Sequence, residues 1–414
     1  NLAKVGVEGS NPFARSKFSK LKTLDMSLLH ISSHARLPLL RWHPDRLADM
    51  GTAFARHWIC SKMKRLIGSV LLGSLFAAPI AANATPVLVL DADTHQVLVQ
   101  EDAGVPWYPA STTKLMTAFL TFEALRDGEI SLSTPVTMTK KSVSEAFLES
   151  GLSQGQAMTL EDALYAMIVA SANDVAMAVA ERVGHGEAPF VEKMNEAARR
   201  LGMTGTHFSN PNGLFDKNNY TTARDLAILG LAIEQQFPQF QNFFQVSAVS
   251  INGKEIPSNN LLLTRYRGTT GMKTGFLCAS GRNFVGVARR DNRRLMVVVM
   301  GATTERERNE RSAKYLDEGF EGRLPPSFGT VESIANRPEV KPEDMRVRLC
   351  TNQSVQYEAS REAMYPMGLP GQPSYLNDEI PGIVHRITTW QNEAAAADVP
   401  LPSPRPVENN APRN

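Results

Sequence analysis

Two apolar runs late in the chain constrain its fold most. Phe284-Val285-Gly286-Val287-Ala288 and the stretch from Leu295 to Met300 read as buried strands, and Arg290-Asp291-Asn292 between them reads as a turn. Near the other end, Val87-Leu88-Val89-Leu90 and Gln96-Val97-Leu98-Val99 flank Asp91-Ala92-Asp93-Thr94-His95, the pattern of a hairpin. Helical patterns fill the interval. After Pro106 and Pro109, Ser111 opens one with Leu115, Ala118, Phe119, Phe122 and Leu125 on one face, closed by Asp127-Gly128. Residues 160–183 form a second, interrupted near Ser171-Ala172-Asn173. Thr222 to Glu234 is a third, and Glu305–Gly319 follows the last strand. This order predicts an α+β fold, an antiparallel sheet flanked by helices.

The ends of the chain read differently. Met63-Lys64-Arg65 precede an apolar run from Leu66 to Phe76, and Ala82-Asn83-Ala84 supply a small-x-small site. That is the plan of a secretory signal. A membrane span needs about 20 apolar residues, and Pro79 with Asn83 stops this run short. Residues 63–84 are therefore expected to be a signal peptide, with the mature chain starting near Thr85, outside the cytoplasm. Residues 1–62 precede that start and show no amphipathic period, so they are expected to be a non-native or disordered leader. They carry 10 Lys/Arg against 4 Asp/Glu, and Lys64 and Arg65 add two more charges. Of the overall +2, the body 85–414 is thus left at −6. Its surface is not that of a nucleic-acid binder.

Residues 85–322 hold all of these strand and helix patterns and are expected to form the folded domain. In 323–414 the composition shifts: the last 90 residues hold 13 of the 25 prolines. Such chain favours extended, solvated conformations, so this extension is expected to be largely disordered, although residues 345–390 hold apolar positions that could form a small appendage. Ile383, Val384, Ile387 and Trp390 could share one side of a helix, but without a basic stripe they predict no strong membrane anchor. Three cysteines and eight scattered histidines show no zinc spacing, so no metal and no cofactor is expected.

The chemistry lies in three short motifs. In Ser111-Thr112-Thr113-Lys114, positions i and i+3 share a helical face, so the lysine can reach the hydroxyl. Alone, the motif is common, and Ser111 could simply cap the helix. Ser171-Ala172-Asn173 and Lys273-Thr274-Gly275 follow in an order that chance rarely produces. With them the chain resembles the serine-type D-Ala-D-Ala carboxypeptidases, the low-molecular-mass penicillin-binding proteins of peptidase family S11. Pro109 to Thr117, His207 to Leu214, Tyr220 to Asp225 and Gly271 to Phe276 carry the same likeness, which spans about residues 85–320.

The resemblance implies a β-lactamase/transpeptidase-like fold and an acyl-enzyme reaction that removes the terminal D-alanine of peptidoglycan stem peptides. β-Lactams would be covalent inhibitors, and the protein is expected to be monomeric. Ser111 would be the nucleophile and Lys114 its base, which requires a neutral amine and a pKa below the usual value of about 10.4. Ser171 would relay a proton and Asn173 would hold the substrate amide. Lys273 and Thr274 would bind the terminal carboxylate. Gly275 would keep the strand edge clear, and the N–H groups of Ser111 and Phe276 would form the oxyanion hole.

Where many relatives carry an Arg before paired leucines, this chain has Asn259-Asn260-Leu261-Leu262. Carboxylate recognition is therefore expected to lean on Lys273 and Thr274. Cys278 is expected to pack in the sheet, with pairing to Cys350 in an oxidising compartment the less favoured alternative. His185, His207 and Asp174 are read as structural. Two other activities fit the motifs: a D,D-endopeptidase acting on cross-links, and a non-catalytic β-lactam-sensing or wall-binding module. A class A β-lactamase fits less well, because no Glu-x-x-Leu-Asn segment is evident.

Overall fold

The computed structural model describes residues 85–145, 150–325 and 329–392. The expected leader and signal, residues 1–84, lie outside them. The strands are β1 (Val87–Asp91), β2 (Val97–Glu101), β3 (Pro135–Thr137), β4 (Gln156–Thr159), β5 (Ala248–Ile251), β6 (Lys254–Pro257), β7 (Thr269–Leu277), β8 (Gly281–Arg290), β9 (Arg293–Ala302), β10 (Val384–Ile387) and β11 (Trp390–Gln391). The helices are α1 (Lys114–Arg126), α2 (Leu160–Ile168), α3 (Asn173–Gly184), α4 (Glu187–Arg200), α5 (Ala223–Gln236), α6 (Leu262–Arg265), α7 (Glu305–Phe320), α8 (Arg346–Leu349) and α9 (Ser354–Met364).

The main sheet has the order β2-β1-β9-β8-β7 and is antiparallel throughout. Its two apolar runs pair as expected, with Val287 opposite Met296 and the turn passing through Asp291 at φ 52°. Both faces are covered, which is why these strands lack polar alternation. Val87, Val89, Leu295, Val297 and Val299 pack with Ala313 and Leu316 of α7. Leu88, Leu90, Met296, Val298 and Met300 face the helical core with Phe119 and Phe122 of α1. The α+β expectation is borne out.

Helix α1 runs through the middle of the helical lobe. The sequence suggests one apolar face, yet Met116, Leu120, Thr117 and Thr121 are buried as well. The threonines are tolerated there because their hydroxyls donate to the carbonyls of Pro211 and Thr117. Helix α4 was not anticipated, although Phe190, Met194, Ala197 and Ala198 give it a buried stripe. At α2, Thr159 caps the helix by accepting from the Asp162 N–H.

The C-terminal extension departs from its expected disorder over residues 329–392. Val331 and Met345 are fully buried, and Arg361 of α9 forms a buried ion pair with Glu307 of α7. Strand β10 pairs in parallel with β5, and β11 pairs antiparallel with β4. Residues 384–391 therefore form two short strands, not one side of a helix. Composition misleads here because a proline-rich chain needs few partners of its own when it can borrow the free edges of existing sheets.

A second correction concerns Cys278. Strand β7 ends at Leu277, so Cys278 falls in the turn before β8, where the extension crosses it. It forms a disulfide with Cys350, with the Cα atoms 5.8 Å apart.

Candidate active site

Strand β7 is the last strand of the main sheet, so one of its edges is free of β partners in that sheet. Beside it stands a 3-10 turn, Ala110–Thr113, that leads directly into α1. Ala110 holds φ 51°, a left-handed conformation for a residue with a side chain. Such backbone persists only where the surroundings fix it. Asn283 of β8 does so: its amide donates to the carbonyls of Tyr108 and Pro109, both at 2.9 Å, and its carbonyl accepts from the Gly301 N–H at 3.0 Å. Trp107 adds a second tie, donating its indole N–H to the Ser280 carbonyl at 2.8 Å.

The turn presents Ser111 to Lys114. The lysine Nζ is 2.9 Å from Ser111 Oγ, 2.7 Å from Asn173 Oδ1 and 2.6 Å from the Asn212 carbonyl oxygen. Lys114 is fully buried. The latter two partners are carbonyl oxygens, which only accept. They can each take an N–H bond from the amine in either of its charge states. The geometry thus suits a base as well as an ammonium.

Ser171 lies between α2 and α3 with φ 59°, where the sequence suggests a helical interruption. Its Oγ accepts from Lys273 Nζ at 2.8 Å. Lys273 also donates to the Thr274 carbonyl at 3.1 Å and is almost completely buried. Burial, with the Arg308 guanidinium as a second cause, brings its pKa down to about 7. Arg308 comes from α7 and donates to the Asn259 carbonyl at 2.6 Å. An arginine therefore stands near Lys273 although position 259 is Asn.

Gly275 has a second reason beside the expected one. A Cβ there would lie 2.9 Å from the Ser111 nitrogen, 3.0 Å from the Pro109 carbonyl oxygen and 3.1 Å from the Ala110 Cβ. The glycine lets the strand close onto the nucleophile turn, not only onto a substrate. The Phe276 side chain is 46% exposed, beneath the Arg282 guanidinium.

All eight predicted positions thus fall around one cleft between β7 and the helical lobe. Sequence reasoning missed Asn283 as an anchor and Asn212 as a lysine partner. The loop holding Asn212 is shaped by its own asparagines: Asn210 Oδ1 accepts from the Gly213 N–H, and Asn212 Oδ1 from the Leu214 N–H. At Gly213, φ is 85° and a Cβ would collide with the Ala110 carbonyl, so the loop sits directly against the nucleophile turn. The structural readings of the remaining groups are consistent with their contacts. Asp174 is buried and bonded to Ser150 and the Val175 N–H, and burial raises its pKa. His185 caps α3 in the left-handed region, and His207 bonds the Asn218 carbonyl. Among the described residues, no group of His, Cys, Asp and Glu is arranged to hold a metal.

This arrangement has counterparts in known proteins. The chain is 32% identical over 277 residues to the D-alanyl-D-alanine carboxypeptidase DacF of Bacillus subtilis, covering 62% of this chain and 71% of that one. Penicillin binding protein 5 from Haemophilus influenzae superposes with a TM-score of 0.55 at 31% identity, over 59% of this chain and 72% of that one. Penicillin-Binding Protein D2 from Listeria monocytogenes, in its cefotaxime-bound form, gives 0.53 at 29% identity, over 57% and 97%. The sequence profile described as D-alanyl-D-alanine carboxypeptidase, Peptidase S11, matches residues 75–304, more than half of the chain and every one of the eight cleft positions. The chain belongs to the S11 family of D-alanyl-D-alanine carboxypeptidases.

Proposed function

We infer that this chain is a serine hydrolase that removes the C-terminal D-alanine from peptidoglycan stem peptides through an acyl-enzyme. One observation carries the reading: Lys114 Nζ lies 2.9 Å from the Ser111 hydroxyl, within proton-transfer reach, and is held there by Asn173 Oδ1 and the Asn212 carbonyl oxygen. In this reading neutral Lys114 removes the Ser111 proton as Oγ attacks the carbonyl of the D-Ala-D-Ala bond. The N–H groups of Ser111 and Phe276 hold the oxyanion. Collapse breaks the C–N bond, and the leaving amine takes a proton passed through Ser171. Water then attacks the ester, with Lys114 again as base, and Ser111 regains its proton. Asn173 positions the substrate amide, while Lys273 and Thr274 receive the terminal carboxylate.

β-Lactams would acylate the same serine, as the ligand-bound relatives suggest. We propose further that residues 63–84 are a signal peptide and that the mature chain works in the periplasm. The Cys278–Cys350 disulfide supports an oxidising compartment. Among the described residues, no helix is long and apolar enough to cross a membrane. Residues 85–414, incubated with a pentapeptide ending in D-Ala-D-Ala, should release one D-alanine per peptide. Cleavage of cross-linked dimers alone would instead favour an endopeptidase, and a stable adduct with penicillin but no turnover of any peptide would favour a sensor.

A further inference from the structure

The C-terminal extension reaches the rim of the cleft. Met345 donates its N–H to the Ala279 carbonyl at 3.0 Å, and the disulfide ties Cys350 to Cys278 beside it. The extension is thus fixed to the turn that follows β7. Between these two ties, Arg346 lays its guanidinium over the ring of Phe215, 4.1 Å from the centroid. Phe215 meets Tyr108 edge to face at 5.2 Å and is 43% exposed. Tyr108 stands three residues before Ser111, and Phe215 two residues after the glycine that abuts the nucleophile turn. Burial raises the Tyr108 pKa, and the charges of Asp344 and Arg346 both reach it.

The direction of β7 tells which part of a substrate meets this wall. If the terminal carboxylate lies at Lys273 and Thr274 and the attacked carbonyl at Phe276, the peptide runs antiparallel to β7. Its acyl-donor side then leaves the cleft past Leu277 and the tied extension. Asp344 and Arg346 form a forked pair there, with Nε to Oδ1 at 3.1 Å and Nη2 to Oδ2 at 3.0 Å. Both side chains are close to half exposed. A lone carboxylate would have to displace Asp344 from Arg346, and a lone ammonium would have to displace Arg346 from Asp344. Either exchange gives up this ion pair and leaves the displaced charge to water, a cost on the scale of an exposed pair. A group bearing both charges can bond both partners at once.

We propose that Asp344 and Arg346 are specificity-determining residues for the acyl donor, selecting a side chain that ends in an α-amino acid group, on the residue preceding D-Ala-D-Ala. The proposal rests on the carboxypeptidase reading and deepens it. The two residues lie beyond the part of the chain that the family profile matches, so this wall is supplied by the extension.

The test uses residues 85–414 and three pentapeptides that differ only at that residue. One carries 2,6-diaminopimelic acid, one the same residue with its side-chain carboxyl amidated, and one lysine. The diaminopimelic peptide should exceed the other two in kcat/KM by about tenfold, the scale of one charge-assisted hydrogen bond. In Arg346→Gln and in Asp344→Asn that ratio should fall towards one. Because the readout is a ratio within each variant, partial loss of folded protein does not alter it. Equal kcat/KM for the three peptides in the unmodified chain, or a ratio kept in both variants, would overturn the proposal. Absence of D-alanine release from every peptide, with no penicillin adduct on Ser111, would overturn the underlying reading instead.

Discussion

Gly275 and Ser111 are packed so closely that a Cβ on the glycine would stand 2.9 Å from the serine nitrogen. The two nearest atoms in the way, the Ser111 nitrogen and the Pro109 carbonyl oxygen, are backbone, which cannot swing aside. Gly275→Ala should therefore part the strand from the nucleophile turn by a few tenths of an ångström or more. Acylation should fall by up to about 100-fold, the cost of misplacing reacting groups by about 1 Å. Stopped-flow acylation by a fluorescent penicillin would measure it. A wild-type rate would show that the two backbones need not touch.

Removal of the base should be as costly. Lys114→Ala should slow acylation by about 10²–10⁴-fold. Ser111→Ala should carry no penicillin adduct when the intact protein is weighed. An adduct on another residue would displace Ser111 from its role.

Lys273 gives a pH signature. Its pKa is brought down to about 7, so the amine is charged below that pH and neutral above it. Only the ammonium attracts a carboxylate. kcat/KM for peptides with a free terminal carboxylate should fall as pH rises through about 7, while their amidated analogues show no such fall at that pKa. The same shift makes the group destabilising: the unfolded chain binds this proton more tightly than the folded one between about pH 7 and 10.4, so stability rises with pH there. Lys273→Met should raise the melting temperature at pH 7 while weakening the substrate. Identical pH profiles for the two peptides would remove the carboxylate role.

Asn283→Ala should leave the carbonyls of Tyr108 and Pro109 and the N–H of Gly301 without their partner. One unpaired buried group costs about 1–3 kcal/mol, so denaturant melts should show a loss of at least that size. Acylation should fall as well, because the anchored segment carries Ala110 and Ser111. A variant equally stable but slow would separate positioning from stability.

The disulfide closes a loop with a sequence separation of 72 residues. Cys350→Ser should lower stability by about 2–4 kcal/mol. Thermal melts of the native chain with and without reductant should differ by the same shift. Equal melts would mean that β10 and β11 hold the extension without the bond.

Much of the cleft is legible in the sequence because its chemistry uses side chains at fixed intervals. Ser111 and Lys114 lie within one helical turn, and the break at Ser171 shows as an interruption in an apolar period. The Asn212 contribution is not legible, because it is made by a carbonyl oxygen, which every residue carries. Asn283 escapes for another reason: it sits inside β8, one residue ahead of its apolar run, and its importance depends on Tyr108 and Pro109, far away in sequence. The Gly275 motif was legible, but the neighbour that demands it was not. The extension was misread because proline counting reports what a segment does by itself, and this one depends on the edges of β4 and β5.

Those edges set an order in time. The final described residue, Asn392, bonds to Thr137 across a separation of 255 positions, and His385 reaches Asp162 across 223. Contacts that distant form late, because the chain must first close very long loops. While the chain is being made, β4 and β5 therefore wait with an unpaired side, and the cleft lacks its Asp344–Arg346 wall. A chain halted before residue 384 would hold every group of the motif cluster and still present two open edges, the kind of surface on which nascent chains join one another.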